Sequence, residues 1–588
     1  MVDGLKKEPL VFTLFILTIL FCSSFYLSWA VDRGLGDITV HRYEIEREPG
    51  RPVDFLVYAP RLGNQLDPMP IVLTIHGLAG SKEGMYAFNI ELARRNFTVV
   101  SVDLAGHGDS ALPFDMGDFE GMAEDAYAAV RYVQTHWNNV DNESYGVLTH
   151  SLGFRVGIEL MNFPIAPKAF VAVGDVGQMS LGTYVNFPGN LLIAVGQYDE
   201  MISPEDALNA IRTATGNESA VAGVTYGSMA NQTAYRLAFA PTDHVFEAID
   251  GTIVRESVTW LVQGVQGEAQ LEHTLDPANQ IYFEKTIAMF SGPLFLLVSI
   301  IPLISLVYEG FPESVKPRRI VSETTTFSLR KTFLYSSMLG ALMVIIYTAT
   351  SVVGFHIENA GYAWPNSMFA TGLVIFYLVS TVILTVAMYL MMGKKATIKA
   401  FNSVGIQRLS LREHFSDILK GLVIALICIA WLLFWIAICG LPEQMQPWIA
   451  LALVKWPVNV RGINTVIVMS IMIPYLVVDA AWLRGLLLSK RNWGERPSKV
   501  KTVVFAFASK YAVTTVLAII VVFGTTAMGI IAGKMVLLGL LLLLMLIVSI
   551  LTTFLTAMAA LEFENVWPAI IVSAFIFSIV FISSIPII

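Results

Sequence analysis

Residues 145–153 read Tyr-Gly-Val-Leu-Thr-His-Ser-Leu-Gly, and the periodicity changes in the middle of that stretch. Tyr145–Leu148 is a short β-prone run, whereas Leu152–Met161 carries its apolar residues at helical spacing. A strand that turns straight into a helix at Ser151 lifts the hydroxyl out of the sheet, as a nucleophile requires. The helix start aims its unpaired N–H groups at the same point, where they favour developing negative charge. Gly153 is small enough to let the turn close. The competing reading is an ordinary strand-to-helix loop in which Ser151 only caps the helix.

The same alternation extends outward from this turn. β-rich apolar runs occur at Ile71–Ile75, Thr98–Val102, Ala169–Val173, Leu191–Val195 and Arg236–Phe239. Helical patterns lie between or beside them, at Met85–Arg95, Met122–Thr135, Pro204–Thr213 and Val245–Val262. Strands alternating with helices predict a mostly parallel sheet covered on both faces, an α/β fold. Two earlier runs, Ile38–Ile45 and Val53–Tyr58, are expected to pair as an antiparallel edge.

A serine is inert without a base. Downstream histidines are His244, just after the strand Arg236–Phe239, and His273, in a segment leading to long apolar runs. Position selects His244, which reaches the same sheet edge as Ser151; His150 is expected to point away around the turn. The base needs an acid to hold its tautomer. Asp199 follows the strand Leu191–Val195 and also reaches that edge, with Glu200 and Asp243 as competing neighbours. His76-Gly77-Leu78 ends the strand Ile71–Ile75, so the Leu78 and Leu152 N–H groups are the candidate oxyanion donors.

Ile75-His76-Gly77-Leu78-Ala79-Gly80-Ser81-Lys82-Glu83 and Val102-Asp103-Leu104-Ala105-Gly106-His107-Gly108-Asp109-Ser110 resemble the paired signatures of the α/β-hydrolase superfamily. The closer likeness is to its serine aminopeptidase, monoacylglycerol lipase and esterase branches, over about residues 50–265. That resemblance implies Ser151 as nucleophile, Asp199 as acid, His244 as base, Leu78 and Leu152 as oxyanion donors, and no cofactor or metal. It implies structural roles for Asp103 and Gly106 to Ser110. One position departs: the family has glycine two residues before the serine, and here it is Thr149. The family also inserts a helical cap between strands that correspond here to Ala169–Val173 and Leu191–Val195. Only Gly174–Asn190 lies between them, which implies a minimal cap and an open site suited to short acyl groups or peptidyl ends.

The chain has 588 residues, 55% hydrophobic and only 14% charged, against about 25% charged in soluble domains. The excess lies after residue 285. Apolar runs at 286–308, 332–354, 367–392, 421–440, 464–484, 511–532, 535–560 and 567–588 are long enough to span a bilayer. An earlier run, Leu10–Ala30, reads as a signal anchor or a signal peptide. Lys and Arg cluster in the loops 309–331, 393–420 and 484–501, which the positive-inside rule places in the cytoplasm. Residues 31–280 then form an extracytoplasmic α/β-hydrolase domain, and 281–588 an all-α transmembrane domain of about eight helices in the cell membrane. Four N-x-[ST] sequons, at Asn96, Asn142, Asn217 and Asn231, do not contradict that placement. The three cysteines, Cys22, Cys428 and Cys439, all sit in apolar runs. A net charge of −8 argues against nucleic-acid binding, which wants a basic face.

Asp479 is an acid inside an apolar run and therefore a functional candidate by default. Asp479-Ala480-Ala481-Trp482-Leu483-Arg484 faintly resembles the Glu-Glu-x-x-x-Arg motif of intramembrane prenyl endopeptidases, but its second acid is replaced by Ala480. Arg484 is expected to anchor the cytoplasmic end of that run. The leading expectation is a membrane-anchored serine hydrolase acting on a small-molecule, lipid or peptide substrate. The alternative is an inactive α/β-hydrolase domain serving as a sensor or accessory to a transporter-like bundle.

Overall fold

A computed structural model describes residues 2–61, 68–176, 189–320, 327–406, 411–440, 459–488, 499–521 and 534–588. The chain divides into two compact units. One comprises residues 21–293 with 437–455 and 584–588, and the other 1–20, 294–436 and 456–583.

The first unit is built on a nine-stranded sheet. Its strands are β1 Ile38–Glu48, β2 Arg51–Pro60, β3 Met69–Ile75, β4 Thr98–Val102, β5 Val140–His150, β6 Ala169–Val173, β7 Asn190–Gly196, β8 Thr225–Tyr226 and β9 Tyr235–Ala240. Their spatial order is β1-β2-β4-β3-β5-β6-β7-β9-β8. All five pairings from β4 across to β9 are parallel. The expected edge pair forms as an antiparallel hairpin, β1 on β2, and β2 joins the sheet antiparallel to β4. Strand β8, two residues long, is an addition that no sequence pattern announced.

The strands β3, β4, β6 and β7 are buried at every residue, as strands covered on both faces must be. One face carries α2 (Tyr86–Ala93) and α6 (Gly251–Leu261). Their Phe88, Ile90, Leu92, Val254, Val258 and Trp260 pack with Val72, Val99, Leu148, Val171 and Leu192 of the sheet. Helix α3 (Phe119–His136) is stopped at its start by Asp118, whose side chain accepts from the Gly121 N–H. Helix α5 (Pro204–Thr215) opens with a capping box of Ser203 and Asp206 and ends at Gly216 in the left-handed conformation.

The expected continuous helix Val245–Val262 is interrupted. A 3₁₀ turn, Phe246–Ile249, is followed by Asp250 in extended conformation, and α6 starts anew. The Asp250 carboxylate accepts from the Thr252 and Ile253 N–H groups, a stronger local arrangement than an aspartate within a helix.

The second unit is all-α. Among the described residues of the whole chain, eight helices are long and apolar enough to cross a membrane: Lys7–Asp32, Tyr282–Gly310, Leu329–Asn359, Ala370–Met392, Glu413–Cys439, Val460–Leu487, Val500–Ile519 and Leu541–Glu562. The run 567–588 gives a shorter apolar helix, Trp567–Ile582. Beyond it, Ile587 lies against the loop that follows β4, donating its N–H to Gly106 and accepting from the Phe114 N–H. The apolar runs 511–532 and 535–560 require a tight turn at Gly533-Lys534; Gly533 lies outside the described residues, and Lys534 begins a helix.

Asp479 is not a lone acid. Lys510 Nζ lies 2.7 and 2.8 Å from its two carboxylate oxygens and 2.9 Å from Thr553 Oγ1. Arg484 is buried rather than exposed as an anchor. Its guanidinium donates to the Glu564 and Ile320 carbonyls, because backbone carbonyls are the acceptors a buried arginine can reach at helix ends.

Candidate active site

Strand β5 ends at His150, and α4 (Gly153–Glu159) begins three residues later. Ser151 between them has φ of +50°, a left-handed conformation that costs a non-glycine residue about 1–3 kcal/mol and concentrates at functional sites. Its N–H donates to Val173 O, which ties the turn to β6. A Cβ on Gly153 would stand 2.5 Å from Ile75 O and 2.8 Å from His76 O. The helix can start this close to the end of β3 only with glycine there.

Thr149 is fully buried, and its hydroxyl donates to Val171 O at 3.2 Å. Crowding at this position is relieved from the opposite side. Gly157, on the first turns of α4, faces it so closely that a Cβ would lie 2.6 Å from Thr149 Cγ2. The threonine and the glycine together leave the turn with ordinary packing.

The three residues singled out downstream of one another meet here. His244 Nε2 lies 2.9 Å from Ser151 Oγ, and His244 Nδ1 lies 2.9 Å from Asp199 Oδ2. A carboxylate only accepts, so Nδ1 donates to Asp199 and Nε2 is left to accept from the serine hydroxyl. Asp199 Oδ1 accepts from the Met201 and Ile202 N–H groups at 2.5 and 2.9 Å. Burial acts to raise the Asp199 carboxyl, but the hydrogen bond and charge of His244 and these two N–H groups hold it below its ordinary value. Burial likewise acts to lower His244, and Asp199 outweighs it, so the imidazole stays above its ordinary value of 6.5. The competing acids are placed differently. Glu200 accepts from the His244 backbone N–H, and Asp243 accepts from the N–H groups of Val245 and Phe246.

His150 does not point away, contrary to expectation. Its Nε2 donates to the His244 carbonyl at 3.2 Å, and its ring lies 5.4 Å from that of His244. The turn places β5's last residue beside the loop after β9, where that carbonyl is the available acceptor. Burial, then the neighbouring His244, lowers His150 to about 3, so its ring is neutral.

Leu152 directly follows Ser151, and Leu78 follows Gly77 just past the end of β3. A Cβ on Gly77 would be 3.0 Å from Ser151 Cβ, so the end of β3 touches the serine. His76 braces this turn. Its Nε2 accepts from the Leu104 N–H at 3.1 Å, which leaves Nδ1 to donate to Gly77 O at 2.7 Å. The loop after β4 is shaped by Asp103, which accepts from the Lys82 and Asp109 N–H groups at 2.8 Å each and from the buried Lys82 ammonium. A Cβ on Gly108 would fall 2.0 Å from Asp103 Oδ1. The segment 177–188, which holds most of the expected short cap, lies outside the described residues.

One residue escaped the sequence reading. Glu247, in the 3₁₀ turn after His244, is fully buried behind the pair. One carboxyl oxygen accepts from the Gly196 N–H, and the other lies 3.8 Å from His244 Nδ1. Burial and the charge of Asp199 push its carboxyl up to about 11. Its only sequence signal is an acid three residues after His244, which on a surface helix would be unremarkable. Asp199, His244 and Glu247 offer ligand atoms within 4.8 Å of one another. Both imidazole nitrogens are already engaged, however, so the arrangement is a hydrogen-bonded relay and not an open metal cage.

The sheet, its order and the strand-to-helix turn at Ser151 define an α/β-hydrolase domain joined to a region of long apolar helices. Residues 67–173 match the protein family described as serine aminopeptidase, S33. No curated protein matches the chain. Solved structures that resemble it include a cold-adapted esterase from an Arctic intertidal metagenomic library, at 18% identity and a TM-score of 0.30, covering 38% of this chain and 95% of that one. Another is the thioesterase domain of the curacin biosynthetic pathway, at 14% identity and 0.28, covering 38% and 99%. A third is a predicted hydrolase of Thermoplasma acidophilum, at 15% identity and 0.29, covering 38% and 97%.

Proposed function

We propose that the chain is a membrane-anchored serine hydrolase that cleaves ester or amide bonds through an acyl-enzyme. The observation that carries this reading is the unbroken line Ser151 Oγ–His244–Asp199, with 2.9 Å at each link. Ser151 Oγ attacks the substrate carbonyl as His244 Nε2 takes its proton. The resulting oxyanion is held by the Leu78 and Leu152 N–H groups. His244 then gives that proton to the departing alcohol or amine as the carbon–heteroatom bond breaks. Water, deprotonated by the same nitrogen, attacks the acyl-serine, and collapse releases the carboxylic acid and restores Ser151. Asp199 remains ionised and stabilises the imidazolium of both steps.

The short Gly174–Asn190 segment supports small acyl groups or exposed peptidyl ends as substrates. A site without a large cap gains little of the ~0.8 kcal/mol that each buried methylene contributes. The basic loops 309–331, 393–420 and 484–501 support a cytoplasmic side for those loops and an extracytoplasmic hydrolase domain. The test is turnover of a panel of p-nitrophenyl esters and aminoacyl anilides by the purified full-length chain and by Ser151→Ala. Activity in the wild type that vanishes in the variant supports the reading. A variant as active as the wild type removes Ser151 from the chemistry, and a wild type inert to every substrate favours the non-catalytic accessory domain.

A further inference from the structure

We propose that Glu247 is a fourth, positioning member of the site: a neutral carboxylic acid whose proton is shared toward Asp199, so that one negative charge, and not two, stands behind His244. The proposal rests on the hydrolase reading above.

The fold makes a slot for this side chain. A Cβ on Gly174, at the end of β6, would lie 2.0 Å from Glu247 Oε2 and 3.2 Å from His244 Cε1. A Cβ on Gly196, at the end of β7, would lie 3.1 Å from Oε1. At Gly174 the carboxyl itself demands glycine; at Gly196 the nearer obstacle is the Thr242 carbonyl, 2.3 Å from such a Cβ, with the Glu247 carboxyl beside it. The slot is fully buried, and the ligand atoms of Glu247, Asp199 and His244 all fall within 4.8 Å of one another. Two buried carboxyls this close cannot both ionise. The donors decide which one keeps a proton. Asp199 receives three, from His244, Met201 and Ile202, whereas Glu247 receives one, from Gly196.

The charged surroundings agree. Asp199 and Glu200 come from the loop after β7, Asp243 and His244 from the loop after β9, Asp175 from the segment after β6, and His150 from the end of β5. Among the described residues, no Lys or Arg is ion-paired with Asp199 or Glu247. A second anion would thus be uncompensated. Burial and Asp199 hold the Glu247 carboxyl protonated through the neutral range. In that form it can donate to Asp199, fix the aspartate's rotation, and leave the basicity of His244 to a single charge.

The test compares full-length wild type, Glu247→Gln and Glu247→Leu. An amide reproduces a neutral acid that accepts and donates, so Glu247→Gln should keep kcat/KM within about threefold, with the acid limb of its pH profile where the wild type has it. Glu247→Leu keeps the volume but neither accepts nor donates. It should lose about 10²-fold in kcat with KM little changed, as expected when a catalytic base is slightly misplaced. Infrared difference spectra of wild type minus Glu247→Gln should show a protonated carboxyl band at neutral pH. An acid limb that moves to lower pH in Glu247→Gln would mean that an anion had been removed, and would overturn the proposal. So would an absent carboxyl band, or a Glu247→Leu with wild-type kcat. The infrared result does not depend on turnover. A protonated Glu247 in a protein that hydrolyses nothing would sink the hydrolase reading and leave the assigned proton in place.

Discussion

Gly153→Ala adds one methyl group at the point where the site is tightest. Its Cβ would stand 2.5 Å from Ile75 O and 3.0 Å from Ile75 C. Both are backbone atoms of the last residue of β3, which pairs with Val102 on one side and Thr149 on the other, and they cannot swing aside as a side chain would. Ordinary contact begins near 3.4 Å, so the helix start must retreat by close to an ångström, and Ser151 moves with it. Overpacking of this kind costs about 1–3 kcal/mol of stability, while a displacement of that size at a reacting atom costs about 10²-fold in rate. The expected signature is kcat/KM down by that factor, mostly in kcat, with cooperative unfolding a few degrees below the wild type. The assay is initial-rate hydrolysis of a short p-nitrophenyl ester by the full-length protein in detergent, beside a thermal melt. Wild-type kcat/KM in a stably folded Gly153→Ala would refute the claim that close approach of α4 to β3 sets the serine.

Four further outcomes follow from the same geometry. Because Asp199 holds His244 above 6.5, the base is protonated and idle at low pH, so kcat/KM should rise through an apparent pKa above that value; a midpoint below 6 in the pH–rate profile would contradict it. Asp199→Asn keeps the shape but loses the charge and should lower kcat by about 10⁴-fold; a loss under tenfold in single-turnover assays would show that the aspartate is dispensable. Gly157→Val should clash with Thr149 and with the Phe170 ring, so Thr149→Gly in the same chain should restore part of the lost stability; melts in which the double variant is no better than the single one would break the proposed compensation. Lys510→Met leaves Asp479 buried without its partner and should cost about 3–5 kcal/mol; an unchanged melting temperature in detergent would show that the pair carries no stability.

Much of this was legible from local pattern. The period change at Ser151 marked a strand-to-helix turn. The positions of Asp199 and His244, each just past its own strand, placed both at the sheet edge that the serine shares. What stayed hidden depends on contacts between segments distant in sequence. Nothing around Thr149 announces that Gly157 makes room for it, since the two meet only when the helix folds back on its strand. Glu247 falls within the helical pattern Val245–Val262, where nothing in the sequence sets it apart. The break at Asp250, driven by two N–H groups that its side chain caps, turned it inward beneath His244. His150 was misplaced for the same reason, because its acceptor, the His244 carbonyl, is supplied by another loop. Asp479 was recognisable as an acid in an apolar run, but its partner Lys510 lies on another helix that sequence spacing does not pair with it.

The central claim is that Ser151 is a nucleophile activated by His244. It is tested most directly by treating the full-length protein with a fluorophosphonate and mapping the adduct by peptide mass spectrometry, beside Ser151→Ala and His244→Ala. A single phosphonylated residue, Ser151, should form, faster as pH rises through the His244 titration, absent in Ser151→Ala and nearly absent in His244→Ala. No adduct on Ser151 in folded protein, or labelling that persists unchanged in His244→Ala, would contradict it.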